Sequence, residues 1–316
     1  MTLNDNERKK QAELLLLSKF LYPQALDYYK EPSYWDEVLK EPQIKTIERL
    51  INNDFITTAS LSSVLDYKYC VSELKSMLKE RGLKVSGLKA DLIKRLVSAD
   101  PNGVKQITND QKLFECSEKG RIIAQNCLAE AREKKNKAIK DSQEALKVNF
   151  YEEAIKIVSR FESEQVFPRG YNIDWENPDI TRDHAIIKYM FTGNPKIHKN
   201  LNDKLLPDFR IAAAMMFLWG ENRIDQWFPS WIDTGLVMDN DTVARMIMFY
   251  ATHRYDLDQF RCLGKVIVEI LPYDSPCDAC AKIANKKYKI NEMIELPYEN
   301  CTNELGCRCL PLCEDL

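Results

Sequence analysis

Apolar residues recur at helical spacing along most of this chain, and their breaks divide it into segments. Residues 4 to 30 read as one helix interrupted at Pro23, with Leu14, Leu17 and Leu21 on one face. Pro32 and Pro42 bracket a short helix, Ser33 to Lys40, for which Ser33 is the expected N-cap. Gln43 to Asn52 follows, striped by Ile44, Ile47, Leu50 and Ile51. Between residues 66 and 98 the pattern predicts two helices. Val71, Leu74, Met77 and Leu78 line the first, and Gly82 stops it. Leu88, Leu92, Ile93 and Leu96 line the second, with Ser86 as its expected N-cap. The loop residues Ala99 to Gly103 close the pair.

Residues 110 to 165 read as a long helical region, a hairpin or one extended helix. Ala129 to Lys147 is rich in Ala, Glu and Lys, and Phe150, Ala154, Ile157 and Phe161 make a second apolar face. Further helices are expected at 182–192, 207–219 and 240–254. Residues 263–271 then switch to a β-type run that leads into a cysteine cluster. Trp219, Trp227 and Trp231 with Phe217 and Phe228 read as core. The fold class is therefore mainly α. An N-terminal helical segment (1–65) precedes the two-helix module (66–98), a helical connector (104–168), an α-helical body (171–262) and a small β-containing Cys-rich tail (263–316).

Composition narrows the picture. Of 316 residues, 45% are hydrophobic and 29% charged, as in an ordinary globular protein. The longest apolar stretch, Ile211 to Trp219, is far short of the ~20 residues that span a bilayer, and the N-terminus lacks the apolar core of a secretion signal. A soluble cytoplasmic protein with no membrane partner is expected. The net charge of −3 excludes a globally basic nucleic-acid binder. It leaves room for a local basic patch, because screening confines each charge to ~8–10 Å.

Such a patch exists. Between Asp66 and Ser98 there are eight basic and four acidic residues. The stretch Ser72 to Leu96 carries an ELK helix, a Gly82-Leu83 turn, a Ser86-Gly87 turn and a Lys89-x2-Leu92-x2-Arg95-Leu96 helix. In these anchors it closely resembles the SAP domain, over about 30 residues. The resemblance implies a helix–extended–helix module that binds DNA. Lys75, Lys79, Lys84, Ser86, Gly87, Lys89, Lys94 and Arg95 are the expected DNA contacts. A helix start at Ser86-Gly87 would offer free N–H groups and a positive dipole end to a phosphate. Contacts of this kind give affinity and register with little sequence information.

Six of the ten cysteines fall in the last 40 residues. Cys277-x2-Cys280 is followed after twenty residues by Cys301, then by Cys307 and Cys309, with Cys313 as a spare. In a reducing compartment this spacing favours metal over disulfides. Cys277, Cys280, Cys301, Cys307 and Cys309 compete for the four places of a structural Zn²⁺ site, which would have no open position for catalysis. The tail also resembles the C-terminal segment of phage head-morphogenesis (minor head) proteins. It shares the strand before Cys277, the CxxC, the Lys286-Lys287-Tyr288 strand, Leu296-Pro297 and Gly306-Cys307-Arg308-Cys309. It departs from that form in having Cys301 where those proteins often carry a histidine, and it lacks their upstream helical signature.

Catalytic signatures are weak. His184, His198 and His253 lie in no HExxH or HxE context, and no phosphate-cradling glycine loop occurs. Asp174, Glu176, Asp179 and Asp183 match no metal-nuclease spacing. The run Lys134, Lys135, Lys137 and Lys140 reads as a solvated helix face. The sequence thus points to a non-catalytic DNA-binding protein, nucleoid-associated, with a zinc-stapled tail and a protein partner for its helical body. The alternatives are a prophage-derived assembly protein and a metal-dependent nuclease.

Overall fold

A computed structural model describes residues 4–108, 112–170, 173–228 and 232–313. The chain forms two compact units: residues 1–135 with 164–168, and 136–163 with 169–316.

The first unit begins with α1 (Asp5–Lys19), capped by Asn4 and Glu7, which exchange hydrogen bonds with each other's backbone N–H. This helix stops four residues before Pro23 and does not run on to residue 30. Its buried face is Ala12, Leu16 and Leu17, continued by Phe20, and Leu14 stays half-buried. β1 (Gln24–Ala25), α2 (Tyr34–Leu39), α3 (Gln43–Asn52) and β2 (Ile56–Thr58) follow. Ser33 caps α2 as expected. β3 (Leu113–Cys116) lies between β1 and β2, antiparallel to both. This small sheet was not anticipated. Four residues are too few to display a period, yet all four of β3 are buried.

Four further helices lie wholly within that unit: α4 (Leu61–Lys68), α5 (Val71–Glu80), α6 (Lys89–Ala99) and α7 (Pro101–Thr108). The stretch read as a closing loop is helical from Pro101, because proline at the first helical position forfeits no hydrogen bond. Leu65, Leu74, Leu78, Leu92, Leu96 and Val104 are fully buried together, so the two-helix pattern is completed by its neighbours.

α8 (Glu118–Lys147) leads from the first unit into the second. There Asn149, at φ 61, turns the chain into α9 (Tyr151–Ser163). The region is thus two helices, the second burying Ala154, Ile155 and Val158 while Phe150 is exposed. α10 (Ile180–Thr192) and α11 (Leu206–Trp219) pack on α9, and α12 (Asn240–Cys262) packs on both. Their core includes Trp219 and Phe228, with Phe217 and Trp227 at its margin. Trp231 lies outside the described residues. α12 is eight residues longer than its pattern suggested.

β4 (Ile267–Leu271) is the centre of a second antiparallel sheet, with β5 (Lys287–Lys289) and β6 (Leu310–Cys313) at its edges. A one-turn helix, α13 (Asp278–Ala281), sits between β4 and β5. Gly306 takes φ 78 and passes so close to α12 that a Cβ there would meet Met246 at 2.6 Å.

Candidate nucleic-acid interface and metal centre

Two leucine pairs, Leu74 with Leu78 and Leu92 with Leu96, bring α5 and α6 together. Gly82, at φ 67, ends the first helix in the left-handed conformation that costs glycine least. Arg81 fastens the pair from behind. Its Nε lies 2.8 Å from Asp100 Oδ2, and its Nη1 donates to the Met77 carbonyl. That contact holds the Asp100 carboxyl below its usual range, as does the Gly103 N–H.

The eight expected contacts divide by what their side chains do. Lys75, Lys79, Lys84 and Lys94 are exposed, and their ammonium groups make no hydrogen bond or ion pair among the described residues. Ser86 and Gly87 are exposed in the connection between the helices. Lys89 and Arg95 are half-buried and engaged. Lys89 Nζ donates to the Asp66 carbonyl and lies 3.1 Å from Asp66 Oδ1. Arg95 Nη1 donates to the carbonyls of Lys84 and Ser86, holding the connection against α6.

α6 starts at Lys89 with Leu88 as its N-cap, so the expected start at Ser86-Gly87 is too early. The physical reason is Asp91, whose carboxylate accepts the Leu88 N–H at 3.1 Å. A side-chain anion already occupies the helix end that was expected to greet a phosphate. Leu88, expected on the apolar face, is instead 78% exposed.

The tail gathers its thiols at a second place. Cys277, Cys280 and Cys301 have their sulfurs within 4.8 Å of one another, and so have Cys280, Cys307 and Cys309. Cys280 belongs to both groups. Cys277 Sγ is 3.8 Å from Cys301 Sγ, and Cys280 Sγ is 3.9 Å from Cys307 Sγ. For Zn–S bonds of ~2.3 Å, tetrahedral geometry puts sulfurs about 3.8 Å apart. Cys313 stands apart, its Sγ against the Ile267 carbonyl in a different buried cluster.

Backbone N–H groups point at these sulfurs. Thr302 and Cys280 donate to Cys277, Asn303 to Cys301, and Tyr298 and Cys309 to Cys307. Such donors favour thiolate over thiol. Burial raises the Cys277 thiol, but the bonds from Thr302 and Cys280 outweigh it and bring the group down to about 6. Cys280 is pushed up by burial and by the charge of Cys307. Cys301 is pushed up by its hydrogen bond with Cys307 and by burial. Burial and the neighbouring sulfurs thus oppose ionisation of Cys280 and Cys301. A divalent ion would relieve that repulsion, so the donor set fits Zn²⁺.

Among the described residues, thiols are the only side chains of metal-binding type grouped in this way. Asp174, Asp179 and Asp183 line a cavity of about 380 Å³ beside Trp175 and Phe217 but form no ligand cluster. His198 and His253 are almost fully buried, and burial lowers each to about 4. No helix among the described residues is long and apolar enough to cross a membrane.

A family model described as SAP domain matches residues 70–101. The chain thus carries a SAP domain over α5, the connection and α6, which points to nucleic-acid binding in general. Neither a curated protein nor a solved structure matches the chain.

Proposed function

We propose that the SAP domain at 70–101 binds the backbone of duplex DNA, in a non-catalytic protein whose tail is held by structural Zn²⁺. The observation that carries the reading is the set of uncommitted ammonium groups on Lys75, Lys79, Lys84 and Lys94, all on one small module. Lysines without an intramolecular partner can release counterions from phosphate at little cost in folded-state contacts. Ser86 and Gly87 offer their exposed backbone to the same phosphates. Lys89 and Arg95 have a different role in this reading: Lys89 ties the start of α6 to α4 through Asp66, Arg95 holds the connection in place, and both act on DNA through that frame. Cys277, Cys280, Cys301 and Cys307 would ligate the zinc, with Cys309 next in reach. Four thiolates leave the ion no open position, so its contribution is structural.

Fluorescence anisotropy with a labelled duplex, at several salt concentrations, tests this reading. The expected result is salt-sensitive binding. Lys84→Gln/Lys94→Gln should weaken it and reduce the salt slope by ~0.9 per lost contact. Absence of binding at low salt would sink the reading and leave the SAP domain as a protein-docking unit.

A further inference from the structure

Two consecutive residues of α12 each bury a nitrogen that has no hydrogen-bond partner among the described residues: His253 Nδ1 and Arg254 Nε. His253 is only 3% exposed. Its ring gives a hydrogen bond to the Leu296 backbone, and Nδ1 is left over. Buried polar atoms in folded proteins almost always have a partner in the protein, an ordered water or an ion. Both residues line one cavity of about 210 Å³, bounded by α12 and by the segment 290–296.

The wall of this cavity is cationic. Lys196 and Arg261 line it together with Arg254, against one carboxylate, Glu295. Two of these groups are committed. Arg261 Nη1 lies 2.5 Å from Asp258 Oδ1, and Asp258 also accepts the Tyr189 hydroxyl. Glu295 accepts the Lys196 backbone N–H at 2.7 Å, which ties that loop to the segment 290–296. Lys196 Nζ and the Arg254 guanidinium make no hydrogen bond or ion pair among the described residues, and Arg254 rests over the Tyr189 ring at 6.0 Å. Even with Asp258 counted, three cations face two carboxylates, so positive charge is in excess. The two uncommitted groups carry it.

Size and chemistry narrow the ligand. The volume is below the ~300–1,000 Å³ of pockets that hold drug-sized molecules, so the occupant is small. An ammonium and a guanidinium fork suit an oxyanion, and a dianion engages both at once. Burial keeps the His253 ring neutral at physiological pH. With one nitrogen donating to Leu296, Nδ1 is a hydrogen-bond acceptor. An acceptor in an anion site calls for an anion that still carries a proton. Inorganic phosphate does so at neutral pH, whereas a phosphomonoester, with its second pKa at ~6, has largely lost it and sulfate has none.

We propose that the cavity binds hydrogenphosphate, with Arg254 and Lys196 holding its charge and His253 Nδ1 accepting its proton in a hydrogen bond. The site lies in the unit without the SAP domain and does not rest on the DNA-binding reading.

Isothermal titration of the full chain at neutral pH and fixed ionic strength tests this, with inorganic phosphate, sulfate and ribose 5-phosphate as probes. The wild type is expected to bind phosphate about tenfold or more tightly than the other two, because each of them leaves the buried acceptor unpaired. Lys196→Gln and Arg254→Gln should each weaken phosphate binding severalfold. His253→Leu should bring phosphate down to the level of sulfate. Lys196 is exposed, so its variant keeps the test valid should a buried replacement unfold the protein, which thermal unfolding reports. Absence of phosphate binding by the wild type overturns the site, as does phosphate affinity unchanged in both the Lys196 and Arg254 variants. Sulfate or ribose 5-phosphate bound as tightly as phosphate overturns the assignment of hydrogenphosphate.

Discussion

Arg95, one of the expected DNA contacts, is tied to the connection in the fold. Its guanidinium holds two carbonyls of the connection, so Arg95→Ala should destabilise the module by about 1 kcal/mol, measured by urea unfolding. In the proposed reading, where Arg95 acts through the connection, it should also weaken DNA binding while leaving the salt slope near that of the wild type. Lys84→Ala should do the reverse, lowering the slope with little change in stability. A charge reversal at Lys89 and Arg95 would therefore confuse folding with binding. The thiols make a second residue-scale case. Cys280→Ser should abolish bound zinc in metal analysis, since Cys280 belongs to both thiol groups, whereas Cys313→Ser should leave it unchanged. The buried histidines set a third expectation. Their folded-state values near 4 lie below the unfolded value of 6.5, so the unfolded chain takes up protons first as the pH falls. Stability should fall from about pH 6.5 towards pH 4, by roughly 2 kcal/mol per histidine between pH 7 and 5. Urea unfolding at the two pH values checks this, and His253→Gln should make the dependence shallower.

At the scale of the element, the start of α6 carries the main consequence. Asp91 caps the helix by accepting the Leu88 N–H, and it also places a negative charge where a phosphate would sit. Asp91→Asn keeps an acceptor oxygen and removes the charge. DNA affinity should rise severalfold in anisotropy, with stability changed by less than about 1 kcal/mol. Asp91 is also where sequence reading fell short. Ser86 is a better N-cap type than Leu88, so propensity favoured the earlier start, but the Asp91 carboxylate accepts the Leu88 N–H and sets the later one. α3, by contrast, begins and ends where its isoleucine stripe placed it. α7 and β3 were hidden for different reasons. Pro101 belongs equally to a loop and to a helix start, and only the burial of Val104 against Leu65 and Leu96 distinguishes them. β3 is too short to announce itself, and its paired strands come from distant parts of the chain.

For the whole molecule, the two chemically marked regions were legible because each depends on local spacing: the SAP anchors fall within 32 residues, and the thiols within 33. What joins them to their surroundings was not legible. Leu65 and Val104, which complete the SAP core, lie outside the family pattern and gain their role by packing alone. Metal should act on one unit. Chelation is expected to lower the calorimetric transition of the unit holding the tail and to leave that of the SAP-bearing unit in place.

β4 pairs with β6 across the whole cysteine segment, so the sheet draws residues 272–309 into a closed loop before any ion binds. Closing a loop costs chain entropy that grows only slowly with its length, and the sheet already meets most of that cost. A zinc ion bound there would subdivide a loop whose ends are tied, where in an isolated zinc finger it must gather a free chain. Loss of the ion should open the clasp at residues 277–309 and leave its hinge fastened. Amide exchange would quicken between the strands while β4 and β6 stay protected. The tail could thus release and recapture a metal without giving up its place on α12.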